Sequence, residues 1–187
     1  MLSCCSNQNP RGYVMAQSSN AIRKFTLNDD GVFPNNPKWP LLIYPAAVAL
    51  TSDESALAVE RVFRENGWGG MWRNGIYTFQ HYHSNAHEVL GVFSGSARVQ
   101  FGGPNGVEVE LHAGDVAVLP AGTAHKNLGS SADFGVVGAY PTGAHYDMCR
   151  GNKEERSSAK KNIQRVPKPA TDPVFGEQGG LIEHWAD

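Results

Sequence analysis

Gly75-Ile76-Tyr77-Thr78-Phe79-Gln80-His81-Tyr82-His83-Ser84-Asn85-Ala86-His87-Glu88 sets three histidines and a glutamate behind an aromatic run. In an extended strand, residues two apart share a face. Tyr77, Phe79, His81 and His83 are therefore predicted to point one way and Tyr82 the other. With that face turned inward, two imidazoles enter a cavity walled by aromatic rings. Glu88 follows a Ser-Asn turn, where the chain resumes a strand, and brings a carboxylate back beside them. Two imidazoles and one carboxylate, with positions left open, suit Fe(II), Mn, Ni, Co or Zn.

A second stretch offers one more nitrogen. Gly114-Asp115 reads as a turn, Val116 to Leu119 as a short strand, and Pro120-Ala121-Gly122 as a tight turn. His125 opens the next strand, and its ring completes three nitrogens and one oxygen. A single histidine near apolar residues is ordinarily structural. The strand-spaced pair, the returning acid and the separate turn together point to a metal.

Working outward, short apolar or alternating runs fill Gly67 to Pro141: IYTFQHYH, EVLGVFSG, SARVQFG, VEVELH, DVAVLP, AHKNL and FGVVGAY. Seven runs split by Gly, Pro and Asn, with no helical stretch between them, predict a β-sandwich or barrel. Residues 21–27 and 41–44 add strand candidates. One helix is expected after Thr51-Ser52-Asp53-Glu54, read as a capping box with Thr51 as N-cap. Ala56, Val59, Val62 and Phe63 recur at helical spacing, and Gly67 ends the helix. Residues 147–170 are basic and turn-rich, read as a solvated tail wrapping the barrel. Residues 174–185 read as a closing turn and strand.

The chain has 187 residues, with 16 Lys plus Arg against 18 Asp plus Glu. That balance argues against a nucleic-acid partner. No apolar run reaches the ~18 residues of a membrane span, and residues 1–20 form a polar leader rather than a secretory signal. Met15 is a conceivable second start within it. Cys4, Cys5 and Cys149 are no disulfide framework, so a reducing, cytoplasmic setting is expected. Residues 21–187 are expected to form one domain.

Two motifs resemble those of the cupins. G-x5-H-x-H-x(3,4)-E-x6-G is matched by Gly75, His81, His83, Glu88 and Gly95. G-x5-P-x-G-x2-H-x3-N is matched by Gly114, Pro120, Gly122 and His125. Asn127 stands two residues after His125, where the pattern has Asn four after. Strand parity still predicts that it lines the pocket. The motif region is 70–141, and the flanks resemble single-domain YjlB-type cupins.

The resemblance implies an all-β fold: a small jelly-roll barrel, RmlC-like, here with one N-terminal helix and an irregular C-terminal tail. It implies a mononuclear divalent metal on His81, His83, Glu88 and His125, and a homodimer. His87 neighbours Glu88 and should point the other way, as a surface or flanking residue, unless an irregular turn lets it replace Glu88. His112 and His184 read as exposed. His145 and Tyr146 lie on a loop able to fold over the mouth. Such a centre serves an oxygenase, an isomerase or lyase, or a non-catalytic binder of a sugar-like ligand with structural metal. Tyr77 is the first candidate for a catalytic hydroxyl, and aromatic walls favour a ring or apolar substrate.

Overall fold

The computed structural model describes residues 21–51 and 54–186. The leader, with Cys4, Cys5 and Met15, lies outside them. The strands are β1 (Arg23–Phe25), β2 (Leu41–Tyr44), β3 (Trp68–Asn74), β4 (Glu88–Ser94), β5 (Ser96–Phe101), β6 (Val107–His112), β7 (Val116–Leu119), β8 (His125–Ser130) and β9 (Gly135–Pro141). The helices are α1 (Ser55–Glu65), α2 (Lys153–Ile163) and α3 (Gly180–His184). A six-stranded sheet runs β1-β2-β7-β4-β9-β3, and a three-stranded sheet runs β6-β5-β8. All pairings are antiparallel. This is the predicted all-β jelly roll.

The four central strands of the large sheet, β2, β7, β4 and β9, are buried on both faces, which explains why they read as unbroken apolar runs. Along β2, Leu41 and Ile43 face the small sheet, while Leu42 and Tyr44 face away. In β7, Ala117 and Leu119 go inward, and Val116 and Val118 outward. The inner core closes against Ala97, Val99, Phe101, Val109 and Leu111 of the small sheet. The outer core closes against Val59 and Phe63 of α1 and against Val174, Leu181 and Trp185. Each such Leu, Val or Phe contributes roughly 1.5–3 kcal/mol when fully buried.

Four sequence expectations are corrected. First, α1 starts at Ser55 with Glu54 as its N-cap, and no side-chain cap bond is made among the described residues, Ser52 and Asp53 lying outside them. The Thr51 carbonyl instead accepts from the Glu54 amide and the Ser55 hydroxyl, spending Thr51 on the approach turn. Second, Ile76 to His83 is no continuous strand. Its backbone forms isolated bridges at His81 with His125 and at Tyr82 with Cys149, and its Tyr77 and His83 carbonyls accept single bonds from the Asn127 and Gly122 amides. The strand before it is β3, hidden in the sequence by Gly69-Gly70 and by a bulge between Gly69 and Trp72.

Third, the tail is irregular only in part, because residues 153–163 form α2. The Glu155 carboxylate reaches back to the Asn152, Gly151 and Arg150 amides, and Ala159 and Ile163 are buried. Fourth, residues 174–185 close with α3 rather than a strand. Asp172 organises that closure. Fully buried, it accepts from Tyr44 Oη at 2.6 Å and from the Val174, Phe175 and Leu181 amides at 2.7–2.8 Å. No helix among the described residues is long and apolar enough to cross a membrane.

Candidate functional site

Inward parity along β4 puts Glu88 on the face of Leu90 and Val92, at the open end of the space between the sheets. His125 starts β8, which pairs with β5 of the small sheet. The Pro120–Thr123 turn aims it there. That turn needs Gly122, whose φ is +94° and where an added Cβ would meet the Asn35 carbonyl at 2.8 Å. His81 is paired by its backbone to His125, and His83 is held by its carbonyl, which accepts from the Gly122 amide at 2.8 Å.

The four predicted donors come together. His83 Nε2 lies 3.5 Å from Glu88 Oε1, and His125 Nε2 lies 3.5 Å from Glu88 Oε2. The His81 and His125 ring centroids are 4.1 Å apart. All four side chains are buried. Among the described residues, no group of three or more His, Cys, Asp or Glu stands, as placed, in an arrangement that would hold a metal ion. The donors stand as a carboxylate paired with imidazoles.

Each imidazole is anchored through Nδ1 to a backbone carbonyl: His81 to Phe79 at 3.3 Å, His125 to Thr123 at 3.2 Å, and His83 to Asp147. A carbonyl only accepts, so Nδ1 carries the proton in each ring. A neutral ring then has a bare Nε2. Burial holds His125 down at about 3 and lowers His81 against the pull of Glu88. Burial opposes charge on His83 too, but the Glu88 carboxylate outweighs it and raises this ring. Burial pushes Glu88 up, and the imidazoles, His83 first, bring it down to about 2. Glu88 Oε2 is buried without a hydrogen-bond partner.

A cavity of about 230 Å³ opens beside these groups. Tyr77 lines it, as predicted, and stacks on Phe79 at 4.8 Å with its edge toward His81. Phe79 itself stands behind Tyr77, outside the cavity wall and under the Arg150 guanidinium, so its predicted lining role is corrected. Asn127 is corrected as well. Its side-chain oxygen accepts from the Gly129 amide at 2.7 Å and its nitrogen donates to Ser130 Oγ, so the side chain is spent on its own turn.

The loop after β9 does reach the mouth. Tyr146 lines the cavity and stacks on Tyr140 at 4.4 Å, with Met148 beside it. His145 is exposed. Asp147 ties the loop down: its carboxylate accepts from the Ser84 amide at 2.6 Å and the Ser84 hydroxyl at 2.5 Å.

His87 is not a surface residue. It points away from the cavity and is 1% exposed, set between Trp39 and Trp185. Its Nδ1 accepts from the Ala121 amide at 2.9 Å, and Nε2 donates to the Pro167 carbonyl at 3.1 Å. Burial pushes it down to about 4. His112 is exposed as expected, and His184 is half-buried.

The sequence reading missed Tyr140 and Trp72. Tyr140 Oη donates to Glu88 Oε1 at 3.0 Å and accepts from Trp72 Nε1 at 3.1 Å. The signal available was parity, which puts Tyr140 on the inward side of β9 with Val136.

A family model described as "Cupin domain" matches residues 73–131. An uncharacterized protein, YjlB, from Bacillus subtilis is 43% identical over 157 residues, covering 84% of this chain and 92% of the relative. Among solved structures, an acireductone dioxygenase from Bacillus anthracis with a cadmium ion in its active centre is 16% identical. It covers 65% of this chain and 78% of its own, with a TM-score of 0.38. The dTDP-6-deoxy-D-glucose-3,5-epimerase RmlC from Legionella pneumophila is also 16% identical, covering 68% and 74%, with a TM-score of 0.38. The Bacillus subtilis relative and the cupin-domain match, which spans both histidine stretches, establish that this chain belongs to the cupin superfamily.

Proposed function

We propose that this cupin is a metal-dependent enzyme, oxygenase-like, acting on a small organic molecule with a ring or apolar part. The observation that carries it is the set of anchored imidazoles. His81, His83 and His125 each spend Nδ1 on a carbonyl, which leaves Nε2 for the buried Glu88 carboxylate and its unpartnered Oε2. Bare imidazole nitrogens facing a carboxylate oxygen repel as lone pairs unless a cation or a proton lies between them. Carbonyl-anchored Nδ1 is also the usual way a ligating histidine is oriented. Donors bound at about 2.1 Å to one cation stand roughly 3.0–3.4 Å apart. The 3.5 Å separations from Glu88 to His83 and His125 lie just above that spacing.

His81, His83, Glu88 and His125 would hold one Fe, Mn, Ni, Co or Zn ion. Such an ion supplies a redox or Lewis-acid centre. The chain's own residues then do the rest. Tyr77, Tyr146 and Met148 are 49%, 51% and 42% exposed at the mouth, and such rims bind flat or apolar groups. Ile76 and Leu90 line the wall and exclude water.

The oxygenase reading is favoured over an isomerase or lyase by what else lines the cavity. Apart from the four donors, it holds no carboxylate, imidazole or lysine among the described residues. Those are the more usual bases for removing a proton from carbon. The other titratable groups lining the cavity are Arg73 and the Tyr77, Tyr140 and Tyr146 phenols. The same reading takes the chain as a cytoplasmic homodimer whose partner is a small molecule, not nucleic acid or a membrane.

The test is oxygen consumption by the Fe(II)-loaded protein across phenols, diketones and thiols. Turnover abolished by His83→Ala supports the reading. No turnover with any member, whichever of the five metals is loaded, overturns it in favour of a non-catalytic ligand-binding cupin.

A further inference from the structure

We propose that Tyr140 is a positioning residue that decides which oxygen of Glu88 serves the centre, with Trp72 fixing its hydroxyl. This rests on the metal reading above. A phenol has one proton to give. The indole N–H of Trp72 donates to Tyr140 Oη at 3.1 Å, so the hydroxyl proton is directed to Glu88 Oε1 at 3.0 Å. Oε1 also faces His83 Nε2 at 3.5 Å. Oε2 receives no hydrogen bond, though it is fully buried and 3.5 Å from His125 Nε2. The two oxygens of one carboxylate are thus unequal: Oε1 is held by the protein, and Oε2 is left as the donor atom.

Two further contacts lock this chain of hydrogen bonds. Trp72 reaches Tyr140 by lying across Gly138, where an added Cβ would sit 2.1 Å from the indole ring. Tyr146 stacks on Tyr140 with an interplanar angle of 16°, which fixes the phenol plane.

Co(II) titration of the metal-stripped protein, followed by visible absorption, tests the role. Tyr140→Phe is expected to weaken Co(II) binding by about 10–100-fold, the usual effect of losing an outer partner of a ligand. It is also expected to move the visible bands, because Oε1 is released. Trp72→Phe, which leaves Tyr140 in place and carries the test should Tyr140→Phe fail to fold, shifts both in the same direction by less. In a Glu88→Ala background, Tyr140→Phe adds nothing, which a merely structural tyrosine would not obey. A Tyr140→Phe protein that binds Co(II) as wild type with unmoved bands overturns the role and leaves the centre standing. An effect undiminished in Glu88→Ala does the same. No Co(II) uptake by the wild type overturns both.

Discussion

Neighbouring residues at the start of β4 meet opposite environments. His87 points outward and Glu88 inward, and the histidines on the two sides differ in one countable respect. His87 has both ring nitrogens paired, to the Ala121 amide and the Pro167 carbonyl, inside a sandwich of tryptophans. His81, His83 and His125 each anchor Nδ1 on a carbonyl, and His83 and His125 turn Nε2 toward Glu88 at 3.5 Å. Burial alone does not separate them, since all four are at most 5% exposed. What separates a structural histidine from one available for chemistry is an unspent nitrogen facing a shared acid.

The strongest way to break this comparison is metal content. His83→Ala and His125→Ala are expected to fall from stoichiometric metal to traces in elemental analysis of freshly purified protein, while His87→Ala keeps its metal. A His87→Ala protein that loses metal as completely would erase the distinction.

The second prediction reverses the roles. His87→Ala strands the Ala121 amide and opens a void between Trp39 and Trp185. It should cost about 3 kcal/mol in urea unfolding of the metal-free protein. His112→Ala, at an exposed position, should stay within about 0.5 kcal/mol.

Asp172→Ala sharpens the outer side further. It removes the acceptor for Tyr44 and for the Val174, Phe175 and Leu181 amides. A loss of roughly 2–4 kcal/mol is expected, with hydrogen exchange rising first in residues 172–185. Equal acceleration in β5 and β6 would show that the outer layer is not a separate unit.

The smallest effect lies at Asp29. Its slight burial acts to raise its carboxyl, but hydrogen bonds from Arg156, the Gly31 amide and Lys160 outweigh this and hold it at about 2, below its ordinary 3.8. A depressed carboxyl contributes stability above its unfolded value, and that contribution is lost as pH falls toward the folded one. Asp29→Asn should therefore lower stability across the neutral region, flatten its fall between about pH 4 and pH 2, and converge with the wild type below that window. An unchanged acid limb would show that α2 gains nothing from this ion pair.

The legible parts were those governed by a local rule. Strand alternation in Ser96–Phe101 and Val107–His112 needs only the two-residue period. The cupin motifs were legible because a turn glycine, two strand-spaced imidazoles and an acid must follow one another along the chain. The helix α2 was legible in principle, since Asn152 precedes Glu155 by a capping-box interval. Its many charges hid a stripe as narrow as Ala159 and Ile163. β3 was hidden because Gly69-Gly70 interrupts its pattern at the bulge.

Local order along the chain was enough to specify most of the strands, the turns before His125 and the four candidate donors. Tertiary packing alone decided how the nitrogens of His83 and His87 are spent, that His87 is walled in by Trp39 and Trp185, and that Tyr140, held by Trp72, reaches Glu88. The reason is physical. Periodicity says which side of a strand a residue faces, but a hydrogen bond needs its partner within about 3 Å. The partners of His83, His87 and Glu88 come from residues 64, 80 and 52 positions away.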